Sequence, residues 1–322
     1  MTAAPLISIP EAPAPPGAVA EWFSGPNNLR LRAAFFPIEG PVRGSVVLCP
    51  GRTEPIEKYF EVIGELQARG FVVLCHDWRG QGLSARMLKD RMRGHARGLQ
   101  PFLDDYRTLL ERFGDRLPKP WIAMGHSMGG GLTMAVLAKG EKRFSAAVLS
   151  APMLGLITDQ AGGYPLARAL TWVTSHIGLS NRYLFGDPSD PFRMSFERDR
   201  IAHDRARWNR FRAQMAACPE LAIGNLTWGW LEFALTATEW LRKPGVVERI
   251  DIPVTIVAAG DDDRVLTSAS AALAKRLPKG RYVEVPGSYH EILMETDDIR
   301  AIFWREFDQL ADQVAPPILQ SA

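Results

Sequence analysis

The sequence predicts an α/β protein built on a mostly parallel sheet with helices on both faces. Short, continuous apolar runs such as Ser45–Cys49 and Phe71–His76 are typical of buried parallel strands. Segments with helical spacing, such as Ile56–Arg69, lie between them. The alternation stops after Ser150 and resumes at Pro253. We therefore expect one α/β domain of about eight strands, with a helical lid inserted after the sixth strand.

The predicted elements follow one another in a regular order. The strands are Glu21–Ser24, Leu29–Phe36, Ser45–Cys49, Phe71–His76, Trp121–Gly125, Ala146–Ser150, Pro253–Ala258 and Arg281–Pro286. The helices are Ile56–Arg69, Leu99–Phe113, Met128–Lys139, Ser268–Leu277 and Ile299–Gln313. This order divides the chain into a flexible N-terminal arm (1–20), an α/β core (21–150 and 248–315), a helical cap (151–247) and a C-terminal tail (316–322).

Composition excludes several classes of protein. The 322 residues carry a formal net charge of +2, so no global charge favours nucleic acid as a partner. The three cysteines form no C-x-x-C pair, which argues against a disulfide framework and a cysteine-based zinc site. No apolar run is long enough to span a bilayer, and no Lys or Arg precedes Arg30. We expect a cytoplasmic location, no metal or organic cofactor and no obligate protein partner.

A nucleophile motif lies where one predicted strand meets the next helix. The motif is Gly125-His126-Ser127-Met128-Gly129, which has the G-x-S-x-G pattern. Flanking glycines let the backbone turn sharply, so that the serine projects from the top of the sheet. The N-terminus of the following helix favours negative charge at this point. The motif therefore predicts Ser127 as the nucleophile of a serine hydrolase.

A serine hydroxyl needs a base, and that base needs an acid to orient it. His290 follows the strand Arg281–Pro286, at a carboxyl end where open α/β sheets bind ligands. We predict His290 as the base, because the side chain of His126 is expected to point away from Ser127. The other histidines fit less well: His76 and His95 precede the nucleophile, and His176 and His203 fall in the helical insertion. Three consecutive aspartates, 261–263, follow the strand Pro253–Ala258. The residues alone do not decide among them.

Several stretches together resemble a known group of enzymes. They include Pro50–Glu54, Asp77–Ser84, Gly125–Gly130, Gly260–Val265 and Ser288–Ile292. With these stretches the chain resembles the bacterial lysophospholipase and monoacylglycerol lipase branch of the α/β-hydrolase fold, over about residues 21–313. This resemblance implies a serine hydrolase that cleaves carboxylic esters through an acyl-enzyme.

The resemblance also implies particular roles. In the family the acid is the aspartate of G-x-x-D-x-V, which maps onto Asp263. The oxyanion hole maps onto the backbone N–H groups of Arg52 and Met128. Many relatives have His-Gly where this chain has Pro50-Gly51. Lysophospholipids or monoacylglycerols are the expected substrates, with a short-chain carboxylesterase or thioesterase as the alternative. A non-catalytic ligand-binding protein of the same fold is the alternative from another class.

The helical insertion is expected to cover Ser127 and to supply part of a substrate site. Among its aromatic residues, Trp172, Trp228 and Trp230 are candidates to line an acyl pocket. The segment 193–212 contains seven arginines against three acidic residues, a net charge of +4. One interpretation is a solvated helix face with internal ion pairs. The other is contact with phosphate headgroups, or peripheral contact with the inner membrane face.

Overall fold

A computed structural model describes residues 2–158, 163–186 and 188–318. The predicted cap (151–247) and tail (316–322) therefore include some residues outside the described part. In the predicted arm (1–20), Met1 lies outside it. The boundaries proposed between core and cap stay a prediction.

The described residues form one mixed sheet. Its strands are β1 (Thr2–Ala3), β2 (Val19–Ser24), β3 (Arg30–Phe36), β4 (Gly44–Cys49), β5 (Phe71–Asp77), β6 (Trp121–His126), β7 (Phe144–Ser150), β8 (Val254–Ala259) and β9 (Gly280–Val285). Their order is β1-β2-β3-β5-β4-β6-β7-β8-β9. The strands β4 to β9 pair in parallel with one another. The strands β1, β2 and β3 form antiparallel pairs at one edge, where β3 joins β5. The predicted fold class is confirmed, with β1 as the additional strand.

Helices cover both faces of this sheet. They are α1 (Phe60–Ala68), α2 (Gln100–Phe113), α3 (Ser127–Ala138), α4 (Gly163–His176), α5 (Phe196–Asp199), α6 (Arg205–Ala217), α7 (Trp228–Arg242), α8 (Thr267–Ala274) and α9 (Asp297–Val314). Neighbouring residues of β4 show the two layers, because Val46 packs with α1 and α9 while Val47 packs with α2, α3 and α7. This alternation is what a strand buried on both faces requires.

Within the predicted N-terminal arm, the described residues 2–20 make specific contacts with the core. Backbone hydrogen bonds join β1 to β2. The Ile7 N–H donates to Glu57 at 3.2 Å, and the carbonyl of Pro5 accepts from the buried Arg32 at 2.9 Å. Because Arg32 and Glu57 need hydrogen-bond partners inside the protein, they attract the polar backbone of this segment. The first predicted strand also begins earlier than expected, at Val19.

In the described part of the segment between β7 and β8 there are four α-helices, α4 to α7. The helix α7 belongs to the hydrophobic core, where Phe233 stacks on Phe102 of α2 with ring centroids 4.7 Å apart. The helix α4 instead exposes large apolar side chains, among them Leu166 and Val173. Within the described ranges, no helix is both long and apolar enough to cross a membrane.

Candidate active site

A sharp turn between β6 and α3 presents Ser127. Its φ of +48° lies in the left-handed region that is strained for a residue with a side chain. The two glycines of the motif make the turn sterically feasible. A Cβ on Gly125 would lie 2.8 Å from the Cα of Gly130, and one on Gly129 would lie 2.1 Å from the carbonyl oxygen of Cys49. The backbone of this turn is therefore packed too closely for larger residues.

Three side chains form a continuous hydrogen-bonded chain. The Nε2 of His290 lies 2.8 Å from the Oγ of Ser127. The Nδ1 of the same ring lies 2.7 Å from the Oδ2 of Asp262. His290 is buried and Ser127 is half-buried, at the carboxyl ends of β9 and β6. The geometry lets the imidazole accept a proton from the serine while the carboxylate holds it in one tautomer.

The aspartate beside His290 is Asp262, which corrects the prediction of Asp263. The Oδ1 of Asp262 accepts from the backbone N–H groups of Arg264 at 2.8 Å and Val265 at 3.0 Å. These bonds hold the carboxylate so that its other oxygen meets His290. Asp263 is exposed and forms an ion pair with Arg264 at 3.0 Å. The family pattern gave the loop correctly but misplaced the acid by one residue.

Asp262 is held in its charged form. Burial by itself raises the pKa of this carboxyl, because a buried charge loses its hydration. The hydrogen bond and positive charge offered by His290, and the N–H groups of Val265 and Arg264, outweigh burial and leave the pKa of Asp262 lowered. A charged Asp262 is the form that stabilises an imidazolium at His290.

The two backbone N–H groups predicted for an oxyanion hole belong to Met128 and Arg52, and their role stays a prediction. Met128 is in the first turn of α3, where backbone N–H groups have no partner within the helix. The loop around Arg52 is fixed on both sides of that residue. The Gly51 N–H donates to Glu54 Oε2 at 2.5 Å, and the Thr53 N–H donates to the side-chain oxygen of Gln81. The fixed loop leaves the Arg52 N–H available, although Pro50 replaces the histidine of many relatives.

His126 behaves as the sequence predicts. Its Nδ1 lies 3.1 Å from the carbonyl oxygen of Ser150, so the ring donates into the sheet. Burial lowers the pKa of His126 to about 4, against a smaller opposing effect of the Glu54 charge. A neutral His126 is packed 4.9 Å from the ring of His290, measured between centroids. This contact limits the movement of the His290 ring.

Sequence reasoning missed a buried polar cluster beside His290. Glu54, Lys58, Tyr59 and Glu291 form it. Lys58 Nζ lies 3.2 Å from Glu54 Oε1 and also binds Glu291, while the Tyr59 hydroxyl donates to Glu54 at 2.6 Å. The sequence signal is that all four residues lie within stretches that match the family, namely Pro50–Glu54, Ile56–Phe60 and Ser288–Ile292.

The two carboxyls of this cluster differ in charge. Burial raises the pKa of Glu54, but His126, Lys58 and Tyr59 outweigh it and lower the pKa to about 2. Burial raises the pKa of Glu291 to about 8, and the neighbouring charge of Glu54 adds to this despite Lys58. At neutral pH, Glu54 is therefore a carboxylate and Glu291 is mainly a neutral acid.

A cavity of about 220 Å³ lies between the core and the helices α5 and α6. Three of its wall residues flank the active site in sequence: Arg52, Arg264 and Glu291. Apolar side chains form another part of the wall, namely Met194, Ile201, Phe211, Met215 and Ile223. A wall with both charged and apolar parts suits an amphiphilic ligand.

The three candidate tryptophans do not line this cavity. Trp172 is 61% exposed on α4, and its ring packs against His176. Trp230 is buried in the core, with its ring centroid 5.6 Å from the guanidinium of Arg52. Trp228 is half-buried and packs against the core. The cavity wall instead includes Trp208, which is not among the three candidates.

Several arginines of the segment 193–212 form ion pairs. Arg207 binds Glu61 at 2.8 Å and Arg210 binds the same carboxylate at 2.9 Å. Arg205 pairs with Glu197 at 2.6 Å. These pairs agree with the interpretation of a solvated helix face. Contact of this segment with a membrane stays a prediction.

Metal-binding side chains do not cluster in the part of the chain that the structure describes. No group of three or more His, Cys, Asp or Glu residues there could hold a metal ion.

The sheet order and the turn at Ser127 define an α/β-hydrolase fold. The model of the Hydrolase_4 family, described as serine aminopeptidase, S33, matches residues 40–297. The chain belongs to this family.

Curated and solved relatives agree with this assignment. Lysophospholipase L2 of Escherichia coli K12 is 28% identical over 294 residues, which cover 87% of this chain and 83% of the relative. The monoacylglycerol lipase of Mycolicibacterium smegmatis is 27% identical over 279 residues, which cover 85% and 91%. A soluble variant of monoglyceride lipase from Saccharomyces cerevisiae, solved with a substrate analogue, has a TM-score of 0.71 at 19% identity and 91% and 95% coverage. The resemblance inferred from the sequence is confirmed, and the chain is an ester hydrolase.

Proposed function

We propose that the chain hydrolyses carboxylic esters of lipids through an acyl-enzyme at Ser127. The observation that carries the proposal is the hydrogen-bonded chain from Ser127 through His290 to Asp262. A ligand-binding protein without activity does not need this arrangement, and the strained φ of Ser127 would cost it stability without benefit.

The proposed reaction has two halves. Ser127 Oγ attacks the ester carbonyl while His290 Nε2 takes its proton. The carbonyl oxygen becomes an oxyanion, which accepts hydrogen bonds from the N–H groups of Arg52 and Met128. When the intermediate collapses, the C–O bond to the alcohol breaks and His290 protonates the leaving oxygen. Water then attacks the acyl group, His290 takes a proton from it, and the carboxylic acid leaves Ser127.

Asp262 acts through the base in both halves. Its carboxylate keeps the proton of His290 on Nδ1, so that Nε2 is free to accept the serine proton. It also stabilises the imidazolium that forms, without taking the proton itself.

Lysophospholipids and monoacylglycerols are the proposed substrates. The relatives whose names include these activities support this choice, and so does the mixed apolar and charged wall of the cavity. A preference for short acyl chains would favour the alternative, a carboxylesterase or thioesterase.

A substrate panel tests the proposal. Monoacylglycerol, lysophosphatidylcholine and a short p-nitrophenyl ester are each incubated with the wild type and with Ser127→Ala. We expect the long-chain lipids to be hydrolysed by the wild type and not by the variant. Activity on acetate esters alone would contradict the lipid assignment. A folded wild type without activity on any ester would support the ligand-binding alternative.

A further inference from the structure

The cavity beside the active site has an excess of positive charge on its wall. Its cationic residues are Arg52, Lys58, Arg207, Arg212 and Arg264, and its acidic residues are Asp199 and Glu291. An ion pair within the protein already compensates the charge of a cationic side chain. Only a cation without a carboxylate partner in the protein therefore offers its charge to an anionic ligand.

Three of these cations have carboxylate partners. Lys58 binds the carboxylate of Glu54 at 3.2 Å and also contacts Glu291. Arg207 is bound by three carboxylates, among them Glu61 at 2.8 Å. Arg264 pairs with Asp263 at 3.0 Å. These residues shape the wall without offering an unused charge.

Arg52 and Arg212 have no carboxylate partner among the residues described. The Nη1 and Nη2 of Arg212 donate only to the carbonyl oxygens of Pro191 and Phe192, at 2.5 and 2.6 Å. Arg52 Nη2 donates to the carbonyl oxygen of Gly224 at 2.5 Å. These acceptors are neutral, so neither charge meets a carboxylate among the described residues. Each guanidinium also faces an aromatic ring, that of Trp230 at 5.6 Å from Arg52 and that of Trp208 at 4.6 Å from Arg212.

Arg52 is the more unusual of the two. Its Nε is buried and has no hydrogen-bond acceptor. Burial, together with repulsion from the charge of Arg264, lowers the pKa of Arg52 to about 10. A buried guanidinium with no carboxylate partner among the described residues is costly inside a protein, and an anion in the cavity would compensate its charge.

The acid nearest the reaction centre does not oppose an anion. Glu291, on the same wall, is mainly neutral at pH 7 and can donate a hydrogen bond from its O–H. The remaining acid on the wall, Asp199, already interacts with Trp208, whose indole N–H donates to its Oδ2 at 2.8 Å.

We propose that Arg52, assisted by Arg212, binds the phosphate of a lysophospholipid in this cavity. The inference rests on the proposed ester hydrolysis and specifies the headgroup. The backbone N–H of Arg52 is a proposed oxyanion donor, whereas its side chain reaches the cavity wall. In a lysophospholipid only the short glycerol unit separates the acyl ester from the phosphate. One residue can therefore contact both ends of that unit.

The test compares two substrates with the same acyl chain, lysophosphatidylglycerol and monoacylglycerol. The readout is the ratio of their kcat/KM values. A loss common to both substrates, such as displacement of the oxyanion loop, cancels in this ratio. In Arg52→Gln we expect the ratio to fall about tenfold to a hundredfold, the effect of losing a hydrogen bond between charged groups. Arg212→Gln should lower the ratio in the same direction.

Arg205→Gln is the matched control, because Arg205 is an exposed lid arginine that pairs with Glu197 outside the cavity. It should leave the ratio and both activities unchanged. Thermal unfolding of each variant establishes that it is folded. If Arg52→Gln does not fold, the ratio measured for Arg212→Gln tests the proposal.

The outcomes separate the two proposals. An unchanged ratio in Arg52→Gln and Arg212→Gln, with monoacylglycerol still hydrolysed by the wild type, overturns the headgroup site alone. If the wild type hydrolyses neither lipid, the proposed function itself fails. Inorganic phosphate is added in a separate arm, with monoacylglycerol as substrate. We expect no inhibition at concentrations where lysophosphatidylglycerol saturates the enzyme. If phosphate inhibits monoacylglycerol hydrolysis by the wild type at these concentrations, and Arg52→Gln abolishes the inhibition, free phosphate is favoured as the ligand. That result would overturn the lipid headgroup as the ligand.

Discussion

Replacing Asp262 with Asn should nearly abolish ester hydrolysis, whereas the same change at Asp263 should not. Asp262 has a fully buried side chain and lies 2.7 Å from His290 Nδ1. At this distance, with an effective dielectric constant of about 20, its charge stabilises an imidazolium by about 6 kcal/mol. Each 1.36 kcal/mol corresponds to about tenfold in rate, so kcat should fall by about 10⁴. Asparagine also permits the wrong tautomer of His290.

Asp263 is the matched control for this prediction. Its side chain is 49% exposed and pairs with the equally exposed Arg264. Such surface pairs contribute about 1 kcal/mol or less, so kcat in Asp263→Asn should change by less than about fivefold. The assay is single-substrate kinetics on a p-nitrophenyl ester, with thermal unfolding to exclude misfolding. A larger loss in Asp263→Asn than in Asp262→Asn would refute the assignment.

Three further predictions concern stability. Gly129→Ala should lower the free energy of unfolding by about 3 kcal/mol or more, because its Cβ would lie 2.1 Å from the Cys49 carbonyl oxygen. Gly64→Ala in α1 meets no atom within 4 Å and should raise it by about 0.5–1 kcal/mol, and urea titration measures both. Glu291→Gln should flatten the fall in Tm between pH 5 and 8. The raised pKa of Glu291, about 8 against 4.5, contributes stability at low pH that is lost as the pH rises through the folded value. An unchanged slope would contradict the protonation of Glu291.

The sequence is sufficient to predict the fold class, because buried parallel strands and amphipathic helices have different apolar periods. It is also sufficient to place Ser127 and His290 at strand ends, since a parallel sheet brings those ends to one edge. The choice between adjacent aspartates is different. It depends on which carboxylate accepts the N–H groups of Arg264 and Val265, and the residue types do not reveal this.

The buried cluster beside His290 shows a second limit. Lys58 and Glu291 are 233 residues apart, and each has an ordinary surface interpretation when the sequence alone is considered. Their contact arises only when the turn before α1 and the loop after β9 pack together. Likewise, the unpaired charge of Arg52 is evident only from the neutral acceptors around it in the fold.

Covalent labelling of Ser127 tests the central claim most directly. Wild type and Ser127→Ala are incubated with a fluorophosphonate, and intact mass followed by peptide mapping locates any adduct. We predict one adduct on Ser127 in the wild type, none in the variant, and loss of ester hydrolysis in proportion to labelling. A folded wild type that carries no adduct at Ser127, or that hydrolyses esters undiminished once fully labelled there, would contradict the claim.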